Sequence, residues 1–368
     1  MKKPILIICI LFLTVISYAQ QESKEISNLD ELNQYLLQKT KVNEFSGVVL
    51  IAKDGKPIFE EAYGYASKRF DVKNKIDTKF NIGSLSKRLT SIAILQLAEK
   101  GLLNLNDSIK KYLDTFPADI SQKVTILQLI NMKSGWGDYW DNPYYLAHRY
   151  ELRNVSDYMK FIKDIPLEFE NGSEGHHSNT GFEVAGAIIE KLTQMNYYDY
   201  IRKNIFEPAG MLNSDSYDVD GPVKNLAVGY TNENPYDREK TNYEWTNTYL
   251  RLPAKGTPTG GSYSTVEDLL KLDQATRKFK LLSKDYTIFL LNMLMGTVGD
   301  PFILDKGILH FFGGAEGVGA VLGCDMMDKD LQKGYTIVVL TNYDFQVVVD
   351  TYEVVKKLVY KLKSDEDK

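Results

Sequence analysis

Strand-like segments at both ends of this chain enclose a long middle that reads as helix and loop. That order restricts the fold more than any other feature. Residues 45–52 and 57–65 are apolar and aromatic runs around Lys53-Asp54-Gly55-Lys56, whose Asp-Gly pair predicts a hairpin turn. Residues 308–312, 318–324 and 335–340 are three further strand-like runs, followed by a helical pattern over 346–362. Residues 29–37 are helix-like, and 105–280 mix short helices with Gly-, Asn-, Asp- and Tyr-rich connections. A compact chain must bring the terminal strands into one sheet and pack the middle on it as a second lobe. The expectation is an α+β fold: an antiparallel sheet lobe from about 40–80 and 300–363, and a largely helical lobe from about 81–299. A charged tail, 364–368, completes it.

The run Phe80-Asn81-Ile82-Gly83-Ser84-Leu85-Ser86-Lys87 opens a segment with Leu85, Leu89, Ile92, Leu95 and Ala98 near helical spacing, closed by Gly101. Residues three apart share a helical face, so Lys87 can reach the hydroxyl of Ser84. A serine is a weak nucleophile until a neighbouring base takes its proton. A lysine whose pKa is pulled down by burial can be that base. The helix N-terminus favours the anions that form during acyl transfer. Ser-x-x-Lys recurs by chance, so its weight comes from the rest of the chain.

With 368 residues, 43% of them hydrophobic and 25% charged, the chain can bury a large core. Its formal charge of −5 gives no footprint for nucleic acid. Lys2 and Lys3, the apolar run 4–16 and Ser17-Tyr18-Ala19 read as a signal peptide, residues 1–19. The apolar run is short for a membrane span, and retention as an anchor is the alternative. Cleavage would remove Lys2, Lys3 and Cys9, take the charge to −7, and leave Cys324 with no intramolecular disulfide partner. The expected address is periplasmic or secreted, with no membrane span after cleavage.

Several segments resemble, in order, the serine β-lactamase and penicillin-binding-protein superfamily. The similarity is to its branch of class C β-lactamases, D-alanyl-D-alanine carboxypeptidases, D-aminopeptidases and esterases. They are the hairpin, 80–113, 124–135, 178–190, 207–211, 260–270 and 313–342, covering roughly 30–360. The resemblance implies one serine hydrolase domain over 20–363, with Ser84 as nucleophile and Lys87 as its base. Where the family has Tyr-x-Asn this chain has His177-Ser178-Asn179. His177 can take over the tyrosine's proton transfer, since imidazole titrates near 6.5 and phenol near ~10. Asn179 either orients Lys87 or a substrate amide, or caps the next helix. His176 and His177, adjacent and pointing apart, do not make a metal site. Where the family has Lys-Thr-Gly or His-x-Gly this chain has Phe311-Phe312-Gly313. His310 replaces the missing cation only if a bulge or register shift re-aims it.

By the same resemblance the backbone N–H groups of Ser84 and Gly314 form the oxyanion hole. Phe311, Phe312 and Gly313 border the substrate and favour an apolar one. Trp136 and Tyr139, with Trp140, Tyr144 and Tyr145, edge the cleft as an aromatic wall, or pack a long loop. The expected activity is hydrolysis, without cofactor or metal, of a small ester, amide or D-amino-acid peptide, cell-wall peptides included. The alternative is an impaired relative that binds cell-wall fragments or a protein.

Overall fold

The computed structural model describes residues 26–173, 177–233, 244–295, 302–305, 307–326 and 331–366. The expected signal segment and His176 lie outside the described residues. Helix α1 (Leu29–Lys41) begins at Asn28, whose side chain accepts the Glu31 N–H at 2.9 Å. Asp30 and Glu31 fill its first turn and Lys39 and Lys41 its last, complementing the helix dipole. The hairpin follows as β1 (Gly47–Lys53) and β2 (Lys56–Tyr63). Its two turn residues, Asp54 and Gly55, both have positive φ, 51° and 76°.

Far along the chain come β3 (Phe302–Asp305), β4 (Ile308–Ala315), β5 (Val318–Asp325) and β6 (Tyr335–Thr341), then a long helix, Phe345–Glu366. They join the hairpin in one antiparallel sheet of order β2-β1-β6-β5-β4-β3. The closing pair is β1 with β6, in register from Gly47 opposite Thr341 to Lys53 opposite Tyr335. The terminal segments therefore form one sheet, as the order of segments requires.

Both faces of the sheet are covered, so β1, β5 and β6 are apolar almost throughout. Val48, Leu50, Leu322, Val338 and Leu340 face the helical lobe. Val49, Ile51, Val321, Ile337 and Val339 face α1 and the C-terminal helix. The helical lobe is built on the central helix Ser86–Glu99, with Asn179–Thr193 packed against it. In that central helix even Lys87, Arg88 and Gln96 are buried. Helix Val266–Arg277 bridges the lobes by packing on β1 and β6. Cys324 is buried in β5, and burial pushes its thiol pKa up.

Candidate active site

Ser84 sits on a tight turn, Gly83–Leu85, between the two-residue strand Phe80–Asn81 and the central helix. The helix proper begins at Ser86, two residues later than the sequence pattern suggests. Gly83 has φ +50°, a conformation that excludes most side chains. Its N–H donates to Asn81 Oδ1 at 2.8 Å, and its carbonyl accepts from the Ser86 hydroxyl at 2.9 Å. The turn is therefore held from both sides.

Lys87 is fully buried beneath Ser84. Its Nζ donates to Ser84 Oγ at 2.9 Å, Asn179 Oδ1 at 2.7 Å and the Thr259 carbonyl at 2.9 Å. Three acceptors match the three N–H donors of an ammonium. Ser178, not Asn179, caps helix Asn179–Thr193, its hydroxyl accepting the Gly181 N–H at 3.1 Å. The Asn179 side chain is thus left for Lys87 on one side and, through Nδ2, for Asp138 Oδ2 at 2.5 Å on the other. Thr259 Oγ1 also donates to Asn179 Oδ1, at 2.9 Å. His177 lies in the same cleft, its Nδ1 3.4 Å from Asp138 Oδ2.

Strand β4 divides its residues between two faces. Phe312 and Gly314 line the cleft with Ser84. Phe311 does not: it is fully buried on the other face, its ring 4.2 Å from the guanidinium carbon of Arg88. Gly313 also turns away from substrate. A methyl there would sit 2.0 Å from the Ile82 carbonyl oxygen, so the glycine lets β4 close on the nucleophile turn. This contact brings the Gly314 N–H beside Gly83: a Cβ on Gly83 would lie 2.7 Å from Gly314 N. His310 is not re-aimed into the cleft. The pairing of β4 with β5 runs without a register shift, and the buried His310 Nδ1 hydrogen-bonds the Tyr352 hydroxyl.

The expected aromatic wall is mostly core. Trp136 is fully buried 5.1 Å from Phe116, with its indole N–H on the Ile165 carbonyl at 3.0 Å. Tyr139 is buried too, touching only the deep end of the cleft, and its hydroxyl donates to Glu183 Oε1 at 3.0 Å. Tyr145 packs against Tyr139, and Tyr144 is an exposed ring tilted against His148. Trp140 alone of these five sits in the wall of the main cleft.

The cleft has a volume of about 730 Å³. Its walls carry the apolar Trp140, Leu146, Leu252 and Phe312 and the charged Asp138, Asp141, Arg149, Glu233, Arg251 and Glu316. Arg251 is tied to Glu316 at 3.0 Å. Two acids here went unnoticed in the sequence. Asp138 could have been suspected as an acid within the segment aligned to the cleft edge. Glu183 is an acid one turn beyond Asn179 in an otherwise apolar stretch. Burial pushes the Glu183 carboxyl up to about 7, against the pull of the Thr257 and Tyr139 hydroxyls and the charge of Lys87.

A two-lobed molecule with a serine on a turn at the lobe boundary defines the class of serine β-lactamases and penicillin-binding proteins, which are serine hydrolases. The chain belongs to the beta-lactamase family, whose model matches residues 34–350. Penicillin-binding protein 4* of Bacillus subtilis (strain 168) is 32% identical over 255 residues, 66% of this chain and 54% of that protein. Protein flp of Staphylococcus aureus (strain N315) is 30% identical over 205 residues, 55% of this chain and 40% of its own. The chain thus spans about half the length, or less, of these two relatives. A penicillin-binding protein from Bacillus halodurans superposes with TM-score 0.76 at 26% identity, over 88% of this chain and 99% of that one.

Proposed function

We propose that this chain is an exported serine hydrolase that forms an acyl-enzyme on Ser84. The observation that carries the reading is the 2.9 Å contact between Ser84 Oγ and Lys87 Nζ at the floor of an open cleft. Lys87, in its neutral form, takes the hydroxyl proton as Oγ attacks the substrate carbonyl carbon. The N–H groups of Ser84 and Gly314 hold the oxyanion. Collapse expels an alcohol or amine, and water then releases the acid. Phe312, Trp140, Leu146 and Leu252 favour an apolar portion of an ester, amide or D-amino-acid peptide. The apolar run after Lys2 and Lys3 supports a periplasmic or secreted address.

Intact-protein mass spectrometry after incubation with a fluorophosphonate, and separately with a penicillin, tests the reading. The expected result is a fluorophosphonate adduct on the wild type and none on Ser84→Ala. A penicillin adduct as well would point to cell-wall peptides. One observation favours the second reading, a module that binds without turnover: Phe311 replaces the cationic or imidazole side chain of the third motif and is buried. No adduct with either reagent would favour that module.

A further inference from the structure

The hydrolase reading leaves two proton transfers without a carrier. Lys87 serves Ser84, but the leaving group needs a proton and the attacking water must lose one. We propose that Asp138 is the positioning residue that makes His177 this carrier, an inference that rests on the hydrolase reading.

One oxygen of Asp138 faces both His177 and Asn179. Its Oδ1 accepts the Trp140 N–H at 3.1 Å, which fixes the carboxylate on its own loop. Its Oδ2 accepts from Asn179 Nδ2 at 2.5 Å and lies 3.4 Å from His177 Nδ1. An imidazole that gives its Nδ1–H to a carboxylate presents Nε2 to the other side, in one tautomer and one orientation. Such contacts are commonly long without substrate and tighten in the complex. Histidine is shorter than tyrosine, so the ring must be aimed, and Asp138 is placed to aim it. Asp141, Arg149, Arg251, Glu233 and Glu316 line the same cleft as His177, with Lys87 beneath Ser84 at its floor.

The protons balance over one cycle. The reacting form has Lys87 deprotonated from its resting ammonium and His177 protonated. Lys87 takes the Ser84 proton during attack, and imidazolium Nε2–H gives its proton to the departing alcohol or amine. In the second half water gives a proton to Nε2 as its oxygen attacks the acyl carbon. The C–Oγ bond then breaks, and Ser84 recovers its proton from the Lys87 ammonium. The net change is addition of water across the scissile bond.

The test compares the wild type, Asp138→Asn, His177→Gln and the double variant on a 4-nitrophenyl ester. The pH profile of kcat is recorded for all four proteins. Asp138→Asn is expected to retain fluorophosphonate labelling of Ser84 while kcat falls on the order of ten- to a hundredfold at nearly unchanged KM. The pH profile of kcat for Asp138→Asn should take the shape of the His177→Gln profile, because both changes remove an aimed imidazole from the proton transfers. In the His177→Gln background the same change should cost less than about threefold. Equal damage from Asp138→Asn with histidine or glutamine at 177 would make Asp138 a prop for Asn179 and overturn the proposal. So would an Asp138→Asn pH profile of kcat that keeps the wild-type shape. If Asp138→Asn does not fold, Asp138→Glu, which keeps the carboxylate, is compared with histidine and with glutamine at 177, and equal damage in the two overturns the proposal as well. Failure of the hydrolase reading looks different: the wild type itself takes no label.

Discussion

Phe311 and Phe312 are adjacent on β4 and face opposite ways, one sealed against Arg88 and the other in the wall of the cleft. Strand alternation makes them serve different ends although their chemistry is the same. Phe311→Ala opens a cavity over a buried guanidinium and removes a desolvated cation–π contact. Denaturant unfolding should show a loss of about 3–5 kcal/mol. Phe312→Ala should cost less stability, since its half-buried ring packs on Phe345 and Tyr352 but its removal opens no buried cavity. It should raise KM for esters with apolar acyl chains. Equal stability losses for the two variants would contradict this division.

Asn179 joins Lys87 to Asp138 through its two side-chain atoms. Asn179→Ala leaves a buried ammonium one acceptor short and removes the amide that the Asp138 carboxylate accepts from. Hydrogen bonds to charged groups contribute about 1.5–3 kcal/mol. Turnover should therefore fall roughly ten- to a hundredfold, with slower labelling of Ser84 by a fluorophosphonate. Asn179→Asp should not restore it, because a carboxylate against Asp138 adds repulsion. Recovery in the aspartate variant would show that Asn179 acts on Lys87 alone.

Glu183 makes stability depend on pH. Its pKa is 4.5 when exposed and about 7 in the folded protein, raised first by burial. Between these values the unfolded chain has released the proton and the native state still holds it. Unfolding is then favoured progressively as pH rises from about 4.5 to 7, by on the order of 3 kcal/mol in all. Glu183→Gln removes this slope, so the stability of the variant relative to the wild type should rise across that window. Urea denaturation at pH 5 and pH 8 measures the difference. Parallel pH dependences in the two proteins would mean that Glu183 ionises near its ordinary value.

The sheet was legible because its signals are local. Asp54-Gly55 encodes its own turn, and the uninterrupted apolar runs of β1, β5 and β6 mark strands covered on both faces. The pair Ser84 and Lys87 was legible for the same reason, being three residues apart on one helical face. The polar ring around them was not. Asn179 and Thr259 reach Lys87 across separations of 92 and 172 residues, and one partner is a main-chain carbonyl that no side chain announces. Phe311 and Gly313 were expected beside the substrate together with Phe312, although alternation along β4 lets only one face of the strand line the cleft. Trp136 misled because an aromatic residue beside a cleft and one beneath it look alike in a sequence.

Gly83 and Gly314 offer the most local test of the oxyanion hole, because they touch through backbone alone. At Gly83 a side chain meets two obstacles: φ is +50°, and the new Cβ would fall 2.7 Å from Gly314 N. Gly83→Ala should cost about 1–3 kcal/mol of stability through backbone strain. It should also push Gly314 N away from the Ser84 turn. Losing one oxyanion donor lowers kcat by about 10²–10³-fold, while the apolar walls that bind the substrate stay in place. The variant should therefore fold, bind ester with a KM close to the wild type, and turn over two or more orders of magnitude more slowly. A KM effect with kcat preserved would place the oxyanion elsewhere in the cleft and leave the approach of β4 to the nucleophile turn a matter of packing.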